Sequence, residues 1–258
     1  LRSEKQRAAR WAGYARKMEA VERRYLGDWR KFLAWLRDET VARITSSKAL
    51  APTGRAGLDL ILRDDDDASV LLPADEAIHA QATKLTDAAR KASIKTGWES
   101  LFDDLGDGIE IDFNNPRVAK LVAQRVQSIV GASDTAASGL RDSLGEGLNA
   151  GETINQLTER VRKFTSEQYS GQARTVARTE TAAGFSQART EAMKEMGIPK
   201  HEWLSARDDR VRQSHSIDGQ VRVIGEPFSN GLSEPHDPSA PAEETINCRC
   251  VTLPVAEG

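Results

Sequence analysis

Apolar residues recur at steps of three and four through Trp11, Tyr14, Met18, Val21, Tyr25, Trp29, Phe32 and Leu36, and no proline interrupts Arg2 to Ile44. This spacing predicts one amphipathic helix. At 1.5 Å per residue it reaches roughly 60 Å, more than an ordinary globular core needs, so the helix is expected to lie along a partner or bridge subunits. Trp11, Tyr14, Tyr25 and Trp29 are then the partner-contact candidates. The competing reading packs the stripe inside the chain and leaves the charges to water, and it is preferred over direct DNA contact.

The pattern breaks over 46–73 at Ser46, Ser47, Pro52, Gly54 and Gly57, followed by an apolar piece from Leu58 to Leu62 and the acidic run Asp64 to Asp67. A linker fits this composition. A second helix follows Pro73, with Asp75 and Glu76 in its first turn and Ile78, Leu85, Ala89, Ala92 and Leu101 along one face, ending near Gly106. Alternation of Ile109, Ile111 and Phe113 predicts a short strand, and Asn115 with Pro116 an N-cap and first turn for a third helix carrying Val118, Val122, Val126 and Ile129. A break at Gly131, Ser133 and Asp134 is expected before a fourth helix (Leu140, Leu144, Leu148) closed by Gly151. A fifth helix carries Ile154, Leu157, Val161 and Phe164. The sixth runs from about Ser170 to Met196, with a lean face of Ala173, Ala177, Ala188 and Ala192, and stops at Gly197 and Pro199.

Beyond Pro199 helical periodicity disappears. Five of the nine prolines, three of the four histidines and both cysteines lie there. Short strands are expected at 201–204, 221–224 and 249–253, with a helical turn near 211–216 and a tight turn at Asp218-Gly219. The fold class is mainly α: a long N-terminal arm (1–46), a linker (47–72), a helical domain (73–197) and a small loop-rich α+β module (198–258) packed on helix 170–197.

Charge refines this picture. The 258 residues hold 36 Lys and Arg against 39 Asp and Glu, a net charge of -3, which excludes a generally basic nucleic-acid coat. The arm differs: between Arg2 and Arg37 stand eleven basic residues against four acidic ones, enough for contact with phosphate. Cys248 and Cys250, one residue apart, cannot brace a secreted fold and fit a reducing compartment or a metal site. No apolar run approaches the roughly 18 residues of a membrane span. The charged first ten residues do not read as a signal peptide, and the missing initiator Met suggests a trimmed chain. A soluble intracellular or particle-enclosed protein is expected.

Three constellations carry candidate chemistry. His215, Cys248 and Cys250 have donor types suited to zinc, with His236, His201 or an Asp as fourth ligand. The lone C-x-C spacing instead favours small half-buried thiols beside a histidine bonded to a carbonyl. A second reading joins Arg178, Glu180, Asp208, Asp209, Arg210, Arg212 and Asp218 into a polar network pinning the module to the sixth helix, since the guanidinium fork orders loops whose core is small. An enzymatic alternative casts Glu180 or His215 as general base beside arginines acting on nucleic acid or a nucleotide. Against it, the chain has no glycine-rich phosphate loop and no nucleophile elbow. Trp98 and Trp203 are expected core anchors, Trp203 against Phe185 or Met196. His79 and Asp64 to Asp67 are expected to be structural or solvated.

The succession ARTET, a Gly-Ile-Pro helix stop, HEWLSARDDRVRQSHSIDGQ, a Glu-Pro-Phe segment, HDPSAP and a closing NCRC resembles the phage Mu F-like head-morphogenesis family, with 120–254 covered and the first hundred residues unspecific. The resemblance implies a minor component of tailed-phage heads without catalytic activity. It sits in few copies on the portal protein inside the capsid, at the portal vertex, and helps head assembly, DNA packaging or ejection. Packaged DNA and the major capsid protein are further implied partners, with the host cytoplasm the place of assembly and no membrane involved. Some relatives carry Cys-x-x-Cys where this chain has Arg212 and His215, and His-Pro before the last Cys pair. That departure favours the ion-pair reading over zinc, which stays the one cofactor candidate. By the same resemblance the arm would dock on the portal with its charged face toward packaged DNA.

Overall fold

The computed structural model describes residues 2–50, 68–106 and 110–255, with backbone only at 47–50 and 168–170. Its helices are α1 (Glu4–Leu50), α2 (Asp75–Leu105), α3 (Pro116–Asn149), α4 (Ile154–Ser170), α5 (Gln172–Glu195) and the single turn α6 (Ala242–Thr245). Strands β1 (Lys200–Leu204), β2 (Val221–Val223) and β3 (Val251–Val255) form one antiparallel sheet in the order β2-β1-β3, and 3-10 turns occupy Ala68–Leu71 and Gln213–His215. The mainly helical class with a small terminal sheet is the one expected. The apolar piece Leu58 to Leu62, the run Asp64 to Asp67 and Ile109 lie outside the described residues. Among the described residues no helix is long and apolar enough to cross a membrane.

The ends of the helices follow their local chemistry. Asn115 Oδ1 accepts the Arg117 N–H at 2.9 Å ahead of Pro116, the expected N-cap and first-turn proline. Thr153 and Gln156 close a reciprocal capping box on α4. Gly197, at φ 67°, ends α5: its N–H reaches Lys194 O and the Ile198 N–H reaches Met193 O, which satisfies two terminal carbonyls.

Two expected features do not occur. Gly131, Ser133 and Asp134 do not interrupt the chain but lie inside α3. Ser133 Oγ turns back on Val130 O at 2.7 Å, and Ile129, Ala136, Ala137, Leu140 and Leu144 carry one buried stripe past the glycine, so packing overrides its weak helix propensity. Nor do Ile111 and Phe113 form a strand. Asp112 Oδ1 accepts the Asn114 N–H at 2.8 Å, and this local turn competes with extended pairing while both apolar side chains pack on the core.

The chain divides into two compact units, each discontinuous in sequence. One unit comprises 27–86 and 127–174 and is helical; it buries Trp29, Phe32, Leu33 and Leu36 from α1, with the Trp29 and Phe32 rings 4.8 Å apart. The other comprises 1–26, 87–126 and 175–258 and contains the sheet. In it α2 meets α5 at very short range, because a Cβ on Gly97 would stand 2.2 Å from Phe185 O and one on Gly184 2.2 Å from Ser93 Oγ. Ala177, Ala188 and Ala192 are fully buried, as the lean face of that helix predicts.

Candidate functional site

The aromatic stripe of α1 is consumed internally. Tyr14, Tyr25 and Trp29 are buried and Trp11 is partly covered, so the first three are core residues, and their role as partner contacts is corrected. Burial, aided by Asp104 and opposed by Arg189, raises the Tyr14 phenol pKa. Exposed on the same helix are Lys5, Arg10, Arg16, Arg23, Arg24, Arg30 and Lys31.

The expected polar network does not form as one body. Arg178 and Glu180 stand two positions apart on α5 and therefore point to different sides. Arg178 meets Glu22 at 3.4 Å, whereas Glu180 meets Arg125 at 3.5 Å. Asp208 pairs with Arg249 at 2.6 Å and caps the Arg210 N–H at 3.1 Å, beside an exposed Asp209. The Arg212 guanidinium donates to the Ile246 carbonyl. Asp218 accepts from the Ser205 N–H at 2.8 Å and its hydroxyl at 2.6 Å, and Arg207 approaches at 3.3 Å.

Arginines do anchor the module, but different ones. Arg189 is fully buried, and donates to Thr252 O at 3.3 Å, Ser100 Oγ at 2.6 Å, Tyr14 Oη at 3.0 Å and Asp104 Oδ2 at 2.8 Å. Its guanidinium carbon lies 4.4 Å from the centre of the Tyr14 ring. Tyr14 and Arg10 also bond Asp104. On β1 the buried Glu202 takes Arg7 Nε at 2.6 Å and Arg2 Nη1 at 3.2 Å, and Arg2 Nη2 also reaches Pro254 O at 2.9 Å. The sequence carried a signal for Arg189: ARTE occurs at 177–180 and again at 188–191, and eleven residues return to within about 20° on a helix.

His215, Cys248 and Cys250 do come together. His215 ends a 3-10 turn, while Asn247, at φ 59°, turns the chain into Cys248-Arg249-Cys250 just before β3. Nδ1 of His215 lies 3.4 Å from Cys248 Sγ and 3.6 Å from Cys250 Sγ, and its Nε2 lies 2.7 Å from Glu244 Oε2. Burial opposes charge on this ring, but the Cys248 thiol and the Glu244 carboxylate outweigh it and raise the His215 pKa. A hydrogen bond from Cys250 holds the Cys248 thiol well below its ordinary value against burial, aided by His236 and His215, whereas Cys250 is pushed up. His236 Nε2 sits 3.0 Å from Cys248 O. Asp237 beside it collects hydrogen bonds from the Ser233 and Ser239 amides and hydroxyls, which lower its pKa in spite of burial. Trp203 is not against Phe185 or Met196. It closes this site, with its Nε1 donating to His215 O at 3.1 Å and its ring edge-on to Phe228.

Of the other candidates, His201 is buried against Phe228 at 4.9 Å, and burial and then Lys194 lower its pKa to about 4. His79 bonds Asp134 at 2.5 Å, the bland role expected of it. A cavity of about 450 Å³ is lined by Arg117, Lys120, Gln187, Glu191, Lys194 and Glu234, and burial pushes the Glu234 carboxyl up to about 7. Another, of about 260 Å³, lies between Trp11, Glu22, Arg178 and Arg249. Neither gathers Glu180 with His215.

The chain is 30% identical over 157 residues to a protein of Enterococcus faecalis named NAD(+)--arginine ADP-ribosyltransferase EFV, covering 56% of this chain and 30% of that one. It is 32% identical over 120 residues to an uncharacterized protein of Haemophilus influenzae, covering 46% and 23% respectively. The chain thus spans less than a third of the curated relatives it matches. No solved structure shows a significant match. Residues 138–253 match the family described as Phage Mu protein F like protein, a stretch that holds Arg189, Glu202 and the whole His215, Cys248 and Cys250 cluster.

Proposed function

We propose that this chain is a structural minor head protein of a tailed phage, attached in few copies to the portal vertex on the inner side of the capsid, where it assists assembly and the passage of DNA. The observation that carries the reading is the family match over 138–253, a family of phage head morphogenesis. The chemistry of the module agrees with it. Groups that an enzyme would hold free around a cleft are paired with other side chains here: Glu180 with Arg125, Arg178 with Glu22, Asp208 with Arg249 and His215 with Glu244. The relative named as an ADP-ribosyltransferase is more than three times the length matched, so its name does not transfer to this stretch. The exposed basic side chains of α1 supply a contact for packaged DNA.

Co-expression of the full chain with the portal protein of the same phage tests the proposal. Co-purification with portal rings in substoichiometric copy number, and detection of the chain in mature particles, are expected. A folded chain that neither binds portal rings nor enters particles refutes the reading.

A further inference from the structure

We infer that His215, Cys248 and Cys250 bind one Zn²⁺ ion, which serves as a structural clip inside the C-terminal module. Their ligand atoms all lie within 4.8 Å of one another and all three residues are buried. Zinc at about 2.3 Å from sulfur and about 2.0–2.1 Å from nitrogen, in tetrahedral geometry, sets an N···S edge of about 3.6 Å. The two observed edges are 3.4 and 3.6 Å. Both N···S edges therefore match those of a tetrahedral zinc site, and the two sulfurs lie within 4.8 Å of each other.

One imidazole nitrogen offers a single in-plane lone pair or a single proton, so Nδ1 can satisfy one thiol but not two. A cation on the lone pair engages both sulfurs at once. The ring is oriented for that: Glu244 accepts at 2.7 Å from Nε2, which places the proton there and leaves the Nδ1 lone pair facing the thiols. Cys248 Sγ receives the Cys250 backbone N–H at 3.4 Å, as thiolates do. In an extended segment residues two apart share a face, so Cys248 and Cys250 present their sulfurs together while Arg249 turns away to Asp208. Trp203, Phe228 and Leu232 enclose the cluster. His236, whose Nε2 lies 3.0 Å from the Cys248 carbonyl, stands beside this three-residue set and not within it.

The C-x-C pair, which from spacing alone argued against a metal, is completed by a histidine 33 and 35 residues away in sequence. Zinc here ties the 3-10 turn at 213–215 to the entry of β3, holding a loop-rich unit whose apolar core at this point is five buried residues.

The test is metal analysis of the purified full chain. About one zinc per chain is expected, together with a thiolate-to-cobalt charge-transfer band and tetrahedral d–d bands after exchange into Co²⁺. Cys250→Ser and His215→Ala should abolish both signals. Glu244→Gln keeps every ligand and the fold, and should weaken zinc about 10–100-fold in competition with a chromophoric chelator. A folded chain without zinc and without the cobalt band overturns the inference. So does a Cys248–Cys250 disulfide in the chain isolated under reducing conditions, or zinc retained undiminished by the Cys250→Ser variant. Glu244→Gln binding as tightly as the parent chain likewise removes the ring-orientation argument.

Discussion

Arg189→Met tests the internal anchoring most directly. The substitution keeps an unbranched chain of similar bulk and removes a buried guanidinium with four hydrogen bonds, to Thr252 O, Ser100 Oγ, Tyr14 Oη and Asp104 Oδ2. Not every partner is stranded. Ser100 Oγ still donates to Gly97 O at 2.7 Å, and Tyr14 still bonds Asp104. Thr252 O does lose its donor, while Asp104 keeps Tyr14 on Oδ2 and Arg10 on Oδ1 but loses its one fully buried cation. Breaking one side of a buried charged pair costs about 3–5 kcal/mol, a large share of the roughly 5–15 kcal/mol that holds an ordinary domain. Loss of the contact over the Tyr14 ring adds about 0.5–1 kcal/mol. The expected fall is about 3–4 kcal/mol, the low end of that sum because Arg10 and Tyr14 still bond Asp104, read by urea unfolding followed in parallel by far-ultraviolet circular dichroism and tryptophan fluorescence. Arg189→Lys should recover only part, since an ammonium cannot bond four acceptors spread around a planar fork. In a double-mutant cycle with Asp104→Asn the coupling should exceed about 1.5 kcal/mol. A loss below about 1 kcal/mol, or additivity of the two substitutions within about 0.5 kcal/mol, refutes the reasoning.

Three further outcomes follow from local features. His201 is held neutral with a pKa of about 4, so as pH falls from 6.5 the unfolded chain takes up a proton that the native state refuses; stability drops by up to about 3 kcal/mol by pH 4, and His201→Phe should flatten that part of the profile. Glu234 has the opposite slope: with its pKa raised to about 7 it weakens the fold as pH rises through 4.5 to 7, so Glu234→Gln should gain about 1–3 kcal/mol at pH 8 and almost nothing at pH 4.5, measured by thermal unfolding at both values. Gly97→Ala drives a methyl into the Phe185 backbone and should cost about 2–3 kcal/mol, whereas Gly131→Ala, with nothing within 4 Å, should stabilise by about 0.5–1 kcal/mol; equal effects in urea titrations would contradict the close approach of α2 and α5.

Much of this architecture was legible along the chain because its cues are local. Helix stops at Gly197 and Gly151, the Asn115-Pro116 start and the Asp218-Gly219 turn depend on residues within one turn of each other, and all occur. The interruption expected at Gly131 failed because it is decided by tertiary packing of Ile129 and Leu140, not by the glycine. The polar network failed for a related reason. Residue type correctly suggested that arginines hold the module, but choosing partners needs the relative rotation of α1, α2 and α5, and Arg189, Asp104 and Tyr14 are scattered over 175 positions. Residue type pointed to His215 and the two cysteines while their spacing pointed away from a metal, and only the fold brings the three together. Their support, Glu244 on Nε2, is invisible in the sequence because a lone glutamate four residues before a cysteine has no signature of its own.

The ionic tie between the first turns of α1 and the terminal sheet bears on how such proteins exchange parts. A fragment excised at the family boundaries, 138–253, would start in mid-helix and carry Arg189 and Glu202 away from Tyr14, Asp104, Arg2 and Arg7. Two sequestered ions of opposite sign would each be orphaned. Recombination between head proteins that splices only the recognisable segment therefore inherits an electrostatic debt, unless the graft brings along matching contacts from the upstream helices.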